Sequence, residues 1–150
     1  MTERFTKAAA RNIFYGGSLF FGVVFVSLVA LSHNYVTKTA TDQTTLTDAV
    51  ARGKHVWEKN SCINCHTLMG EGAYFAPELV NVWQRYGGDK DAEGARDTLK
   101  AWMRSQPSGI EGRRQMPQFN LTEQELDDLA AFLQWSSTIK AQNWPPKLSG

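Results

Sequence analysis

The chain has 150 residues, with 16 basic and 15 acidic side chains and a formal charge of +1, which suits one domain of ordinary size with an accessory segment. It has no basic face and no interleaving of basic with aromatic residues, which excludes a nucleic-acid partner. Five tryptophans and eight phenylalanines are ample to enclose a flat apolar group.

Taken in order, Ile13 to Leu31 carries no charge, and Ser18 and Ser27 are its only clearly polar side chains. At about 1.5 Å per residue this stretch makes a helix roughly 28 Å long, which matches a hydrocarbon core of about 30 Å. A cleavable signal peptide is the rival reading, because Ala30-Leu31-Ser32 loosely resembles a cleavage site, but cleavable apolar regions run only about 7–15 residues. A buried core helix is excluded by the lack of any polar face. An uncleaved anchor over residues 1–35 is therefore expected. Arg4, Lys7 and Arg11 precede the span, opposed only by Glu3, and the next basic residue is Lys38. The positive-inside rule then leaves the amino terminus in the cytoplasm and exports the rest. Residues 36–47 are expected to form a polar, threonine-rich linker. From Lys38 onward 13 basic and 14 acidic residues leave the body near neutral.

The body reads as helical. A first helix is expected from about Thr45, with Asp48 as its capping partner and Leu46, Val50, Gly53 and Trp57 along one apolar stripe. Gly53 inside a helix costs about 1 kcal/mol against alanine, which predicts close approach of another helix. Pro77 is expected to open a short helix at its first position, with Leu79, Val82, Trp83 and Tyr86 inward and Gly87-Gly88 as its stop. A helix starting at Asp89 or Asp91 turns Ala95, Leu99, Trp102 and Met103 inward, and Pro107 blocks its continuation. After an irregular loop, Thr122-x-x-Glu125 forms a capping box, with a staple between Leu121 and Leu126. That last helix presents Leu126, Leu129, Ala130, Phe132 and Leu133. No segment has a strand period, Thr67 to Ala76 is expected to be irregular, and Trp144-Pro145-Pro146 in a tail over 141–150 is non-helical.

The chemistry centres on Cys62-Ile63-Asn64-Cys65-His66, which has the C-x-x-C-H pattern of c-type haem attachment. Two thiols three residues apart can bond the two vinyl groups on one porphyrin edge, and the following imidazole can bind the iron. These are the only two cysteines, and only His33 and His55 lie outside the motif, so a zinc site lacks ligands. A thioredoxin-like dithiol lacks its strand-helix-strand context, and a disulfide leaves the histidine unexplained. Haem of this kind is attached outside the cytoplasmic membrane in bacteria, in agreement with the charge asymmetry, so the body is expected in the periplasm on the inner membrane.

A low-spin electron carrier needs a second axial ligand, and a thioether raises its potential. Among four methionines, Met1 lies on the cytoplasmic side, Met69 is too close to His66 to reach the opposite ring face, and Met103 sits on a core stripe. Met116, in an irregular loop stiffened by Pro117, is the candidate. The other ring nitrogen of His66 needs an acceptor to orient it, and the Pro77 carbonyl is placed for that. The acidic group Glu123, Glu125, Asp127 and Asp128 reads either as a solvated helix start or as a surface that steers a basic donor.

These residues together resemble the class I cytochromes c. Gly53 and Trp57 are similar to the small-plus-aromatic pair of that family's first helix, and Leu129 and Phe132 to the partners that cross it on the last. Ala76-Pro77-Glu78-Leu79 resembles the family's Gly-Pro-x-Leu loop, with alanine for the glycine. The anchor, Cys62 to Leu68, Gly70-Glu71-Gly72-Ala73-Tyr74-Phe75-Ala76-Pro77-Glu78-Leu79, Met116-Pro117-Gln118-Phe119 and Trp144-Pro145-Pro146 resemble more narrowly the NorC family, the small cytochrome c subunits of bacterial nitric oxide reductases.

The resemblance implies an all-α architecture, one N-terminal transmembrane helix followed by a class I cytochrome c-like helical domain over 48–140. It implies one covalent haem c held by Cys62 and Cys65, with His66 and Met116 on the iron. It implies electron transfer without catalysis in this chain. The donor is a periplasmic cytochrome c or cupredoxin, and the acceptor is a large polytopic subunit that reduces nitric oxide at a haem and non-haem iron pair. It also implies a calcium ion at the subunit interface, with the Gly72 carbonyl and Tyr74 as ligands. A membrane-tethered shuttle cytochrome serving a terminal oxidase and a haem-based gas sensor are the alternatives.

Overall fold

The computed structural model describes residues 6–141 and Trp144. Met1, Glu3 and Arg4 of the amino-terminal flank and Pro145-Pro146 of the tail lie outside the described residues. The chain divides into two units, Met1–Ala40 and Thr41–Gly150.

The main element of the first unit is α1 (Lys7–Tyr35), which is capped by Thr6 through a 3.1 Å bond from the Ala9 N–H. Its 29 residues extend about 44 Å, long enough to cross a bilayer. No side chain of α1 is buried, and Phe14, Leu19, Phe21 and Phe25 all stand exposed. The Ser27 hydroxyl donates to the Val23 carbonyl at 2.8 Å, so this polar group is satisfied within the helix, as an apolar solvent requires. Beyond α1, the stretch expected as a linker makes a π-helical turn, Val36–Ala40.

The second unit begins with a 3₁₀ turn, Gln43–Thr45, capped by Asp42. Its helices are α2 (Asp48–Lys59), α3 (Val82–Arg85), α4 (Ala92–Arg104) and α5 (Glu123–Thr138). The expected start of α2 at Thr45 is corrected to Asp48. Asp42 takes the Thr44 N–H at 2.9 Å and closes a separate turn, and Thr47 then caps α2. Leu46 consequently falls outside the helix and is exposed. Asp91 caps α4 by accepting from the Gly94 N–H at 2.9 Å. The capping box is present: the Glu125 N–H donates to Thr122 Oγ1 at 3.2 Å and the Thr122 N–H to Glu125 Oε2 at 2.9 Å.

The core lies where α2 crosses α5. A Cβ on Gly53 would collide with the Asp128 carbonyl and come within 2.7 Å of Phe132 Cβ, so only glycine permits this approach. Around the crossing, Val50, Val56 and Trp57 of α2 meet Leu129, Ala130, Phe132 and Leu133 of α5. Val82 and Trp83 of α3 and Ala95 and Leu99 of α4 complete the cluster. Each of the larger side chains contributes about 1.5–3 kcal/mol on burial. Met103 packs against this cluster, whereas Trp102, expected inward, is half exposed.

Two further expectations are corrected. Thr67–Ala76 contains a small antiparallel ladder, β1 (Thr67–Leu68) with β2 (Glu71–Gly72), in the register Thr67 to Gly72 and Leu68 to Glu71. Its turn residues Met69 and Gly70 both have positive φ, +55° and +84°, the geometry of a two-residue hairpin whose twist suits the strands. Pro77 does not open a helix. Residues 77–80 stay non-helical because their backbone and side chains are committed to the preceding loop, and α3 starts only at Val82.

Candidate haem site

The site is built outward from the end of α2. Asn60 closes the helix, with Nδ2 donating to the Val56 carbonyl at 2.8 Å, and Ser61 turns the chain with φ +53°. Cys62–Asn64 then form a 3₁₀ turn. The Cys62 carbonyl accepts from the Cys65 N–H at 3.1 Å and the His66 N–H at 2.9 Å. Both thiols thus lie on one tight curl that leads directly into the imidazole, and the cysteines are not bonded to each other. Burial pushes the Cys62 thiol up to about 11.

The segment after the hairpin wraps back over this curl. The Ala73 N–H donates to the Ile63 carbonyl at 3.0 Å, the Ala76 N–H to the Cys65 carbonyl at 2.8 Å, and the Leu79 N–H to the Thr67 carbonyl at 3.0 Å. Gly72 (φ +121°) lies where a side chain would strike the His66 carbonyl and reach within 2.9 Å of Ile63 Cγ1. The wrap ends with the Pro77 carbonyl 2.8 Å from His66 Nδ1. A carbonyl can only accept, so Nδ1 carries the proton and the Nε2 lone pair is left for a metal. Trp57 stands between His66 and Phe132, with ring centroids 6.4 Å and 6.2 Å away, tying the imidazole to the helix crossing.

Haem fits these residues. The described motif offers two thiols on one turn, an imidazole with a free Nε2, and apolar Ile63 and Phe75 exposed beside them, a surface that a flat apolar group would cover.

Met116 is half-buried in the loop between α4 and α5. That loop is held by Gln118, whose Nε2 donates to the Arg104 and Gln106 carbonyls at 3.0 Å each, and by Gln115, which accepts from the Gly109 N–H at 2.8 Å. The Arg114 guanidinium lies 4.3 Å above the Phe75 ring. This cation–π contact brings the Met116 loop to the segment that follows His66. Met69, set aside as a ligand, sits in the hairpin turn.

Gly72 and Tyr74 lie on the same loop. The Tyr74 side chain is 75% exposed, and its hydroxyl donates to the Gly70 carbonyl at 3.0 Å. Among the described residues, no group of three or more histidine, cysteine or acidic side chains could hold a metal ion.

The acidic run on α5 is engaged within the domain. Asp128, buried, pairs in two bonds of 2.8 Å with Arg52. Asp127 pairs with Lys100 at 2.6 Å, Glu123 with Lys100 and Arg104, and Glu125 with Lys59 at 3.1 Å. Each of these acids thus has a cationic partner within the domain.

Sequence does not mark Glu78 beyond its place in the loop motif. Its carboxylate accepts from the N–H groups of Met69, Gly70 and Val80 and from the Trp144 indole. A lone acid among apolar residues was the one signal available.

A helical domain with its first and last helices crossed over a C-x-x-C-H turn is a cytochrome c, and the Cytochrome c family matches residues 50–137. Full-length relatives narrow this further. The chain is 57% identical to the nitric oxide reductase C subunit of Halomonas halodenitrificans, 56% to that of Paracoccus denitrificans and 57% to that of Cereibacter sphaeroides, in each case over 100% of both chains. The chain belongs to the family of nitric oxide reductase C subunits. With the apolar helix α1, this makes it a membrane-anchored cytochrome.

Proposed function

We propose that this chain is the electron-transfer subunit of a nitric oxide reductase, taking single electrons from a periplasmic donor and passing them to the catalytic subunit that reduces nitric oxide to nitrous oxide. The full-length likeness to nitric oxide reductase C subunits carries the reading, and the His66–Pro77 hydrogen bond supplies its physical side. Haem c, when bound, supplies a one-electron iron couple. Cys62 and Cys65 would hold it through thioethers, and His66 Nε2 and Met116 Sδ would bind the iron. Two such side-chain ligands would leave substrate no open site on the iron, so the chain would transfer electrons and not be catalytic alone.

The amino terminus lies in the cytoplasm, with Lys7 and Arg11 at the inner face of the bacterial cytoplasmic membrane, and the haem domain over 48–140 stands in the periplasm. Its donor is a small cytochrome c or a cupredoxin. The Gly72 carbonyl and the Tyr74 oxygen would be the ligands this chain offers to a calcium ion at the interface with the catalytic subunit. The ion needs six to eight oxygens, so most of its ligands would come from outside these two residues. A shuttle serving a terminal oxidase would share the haem domain, but the likeness across the whole chain supports the reductase.

The test is purification from native membranes. The expected result is a stable complex with a polytopic subunit that holds haem b and non-haem iron. Recovery of this chain alone from native membranes, together with undiminished nitric oxide reduction by membranes of a strain that lacks it, would contradict the proposal.

A further inference from the structure

Glu78 gathers more of the loop than a turn needs. Oε1 accepts from the Met69 N–H at 3.0 Å and the Val80 N–H at 2.9 Å, and Oε2 from the Gly70 N–H at 3.0 Å and Trp144 Nε1 at 2.9 Å. Two donors are the left-handed turn residues of the hairpin, the third lies just past Pro77, and the fourth comes from the carboxyl-terminal tail. The Trp144 backbone N–H donates to the Ala141 carbonyl at 2.9 Å. The indole covers the turn closely enough that a Cβ on Gly70 would sit 3.0 Å from Trp144 Cζ2. Glu78's own carbonyl accepts from Arg85 Nη2 at 2.9 Å.

A two-residue hairpin closes with its own backbone bonds, and a half-buried carboxylate is unfavourable unless its hydrogen bonds are satisfied. Burial opposes the charge on Glu78, yet the bonds from Trp144, Val80, Gly70 and Thr67 outweigh it and hold the carboxyl below its ordinary range. The arrangement is therefore a fixed anion, braced from both sides of Pro77, whose carbonyl meets His66 Nδ1.

We propose that Glu78, latched by Trp144, is a positioning residue for His66: it fixes the Pro77 carbonyl, and so makes the potential of the haem iron depend on the carboxyl-terminal tail. The inference rests on His66 being the iron ligand. A well-aligned bond from Nδ1–H to a carbonyl raises the basicity of the imidazole and favours ferric iron. Loosening it favours ferrous iron and raises the potential. Removing the Glu78 charge acts in the same direction, so Glu78→Gln alone would not separate positioning from charge. Trp144→Phe keeps the charge and removes only the indole donor.

The test uses the full reductase complex carrying each variant. The haem c midpoint potential is measured by spectroelectrochemical titration, and amide exchange of residues 67–80 by mass spectrometry. Both variants should raise the potential, Glu78→Gln more than Trp144→Phe, and both should speed exchange in 67–80, with the catalytic subunit's haem potentials unchanged. If Glu78→Gln fails to retain haem, Trp144→Phe decides alone. An unchanged potential in Trp144→Phe overturns the proposal even if exchange quickens, since Glu78 is then a structural tie only. A raised potential without faster exchange overturns it equally. Native complex without a c-type haem spectrum would instead sink the functional reading above.

Discussion

His66 Nδ1 lies 2.8 Å from the carbonyl oxygen of Pro77, eleven residues further along the chain. Proline suits the position because its locked φ holds that carbonyl still. Replacing it with alanine keeps the oxygen but frees the backbone. Pro77→Ala should lower stability by about 0.5–1 kcal/mol and raise the haem potential slightly, as followed by guanidinium titration of the ferric spectrum and by redox titration. Unchanged values for both would show that the rigidity of Pro77 is dispensable.

Gly53 offers a test by sign. On an exposed helix, alanine would stabilise by about 1 kcal/mol. Here the added methyl meets the Asp128 carbonyl and Phe132, and overpacking of this kind costs about 1–3 kcal/mol. Gly53→Ala should therefore lower the thermal midpoint of the haem domain; a raised midpoint would mean that α2 and α5 do not cross as described.

Met116→Ala should abolish the red sulfur-to-iron charge-transfer band of the oxidised protein and lower the potential, because a thioether favours ferrous iron. The c-type attachment by Cys62 and Cys65 should survive. A band that persists would place the sixth ligand elsewhere.

Acid should loosen the domain through Asp128. The hydrogen bonds from Arg52 hold this carboxyl below its ordinary range, with burial opposing and Gln124 assisting. A carboxylate with a depressed folded pKa contributes stability that is complete above its unfolded value, about 3.9, and is lost as pH falls through the lower folded value. Thermal midpoints should therefore hold from neutrality to about pH 5 and fall in stronger acid. Asp128→Asn should lose about 1–2 kcal/mol at pH 7, since Arg52 is half exposed and partly screened, and should show a shallower fall in acid. An identical acid slope would remove Asp128 from the account.

Much of this was legible because the chemistry is local. C-x-x-C-H needs five consecutive residues, the Thr122–Glu125 box spans a single turn, and Gly53 marked a helix crossing by its own cost. The α2 start was not legible, since Asp42, Thr45 and Thr47 are all competent caps and only the 3₁₀ turn at Gln43 decides between them. Pro77 at a helix start and Pro77 as a fixed carbonyl look the same in sequence. The Glu78–Trp144 bond joins residues 66 apart and leaves no periodic trace.

The most direct measurement is rapid mixing of the reduced natural donor with the oxidised complex, comparing native protein with a Cys62→Ser, Cys65→Ser variant that cannot attach haem. The account predicts that in the native complex haem c is reduced first and the catalytic subunit's low-spin haem follows, while in the variant the second reduction all but stops. Reduction of that haem at the native rate in the variant would contradict it.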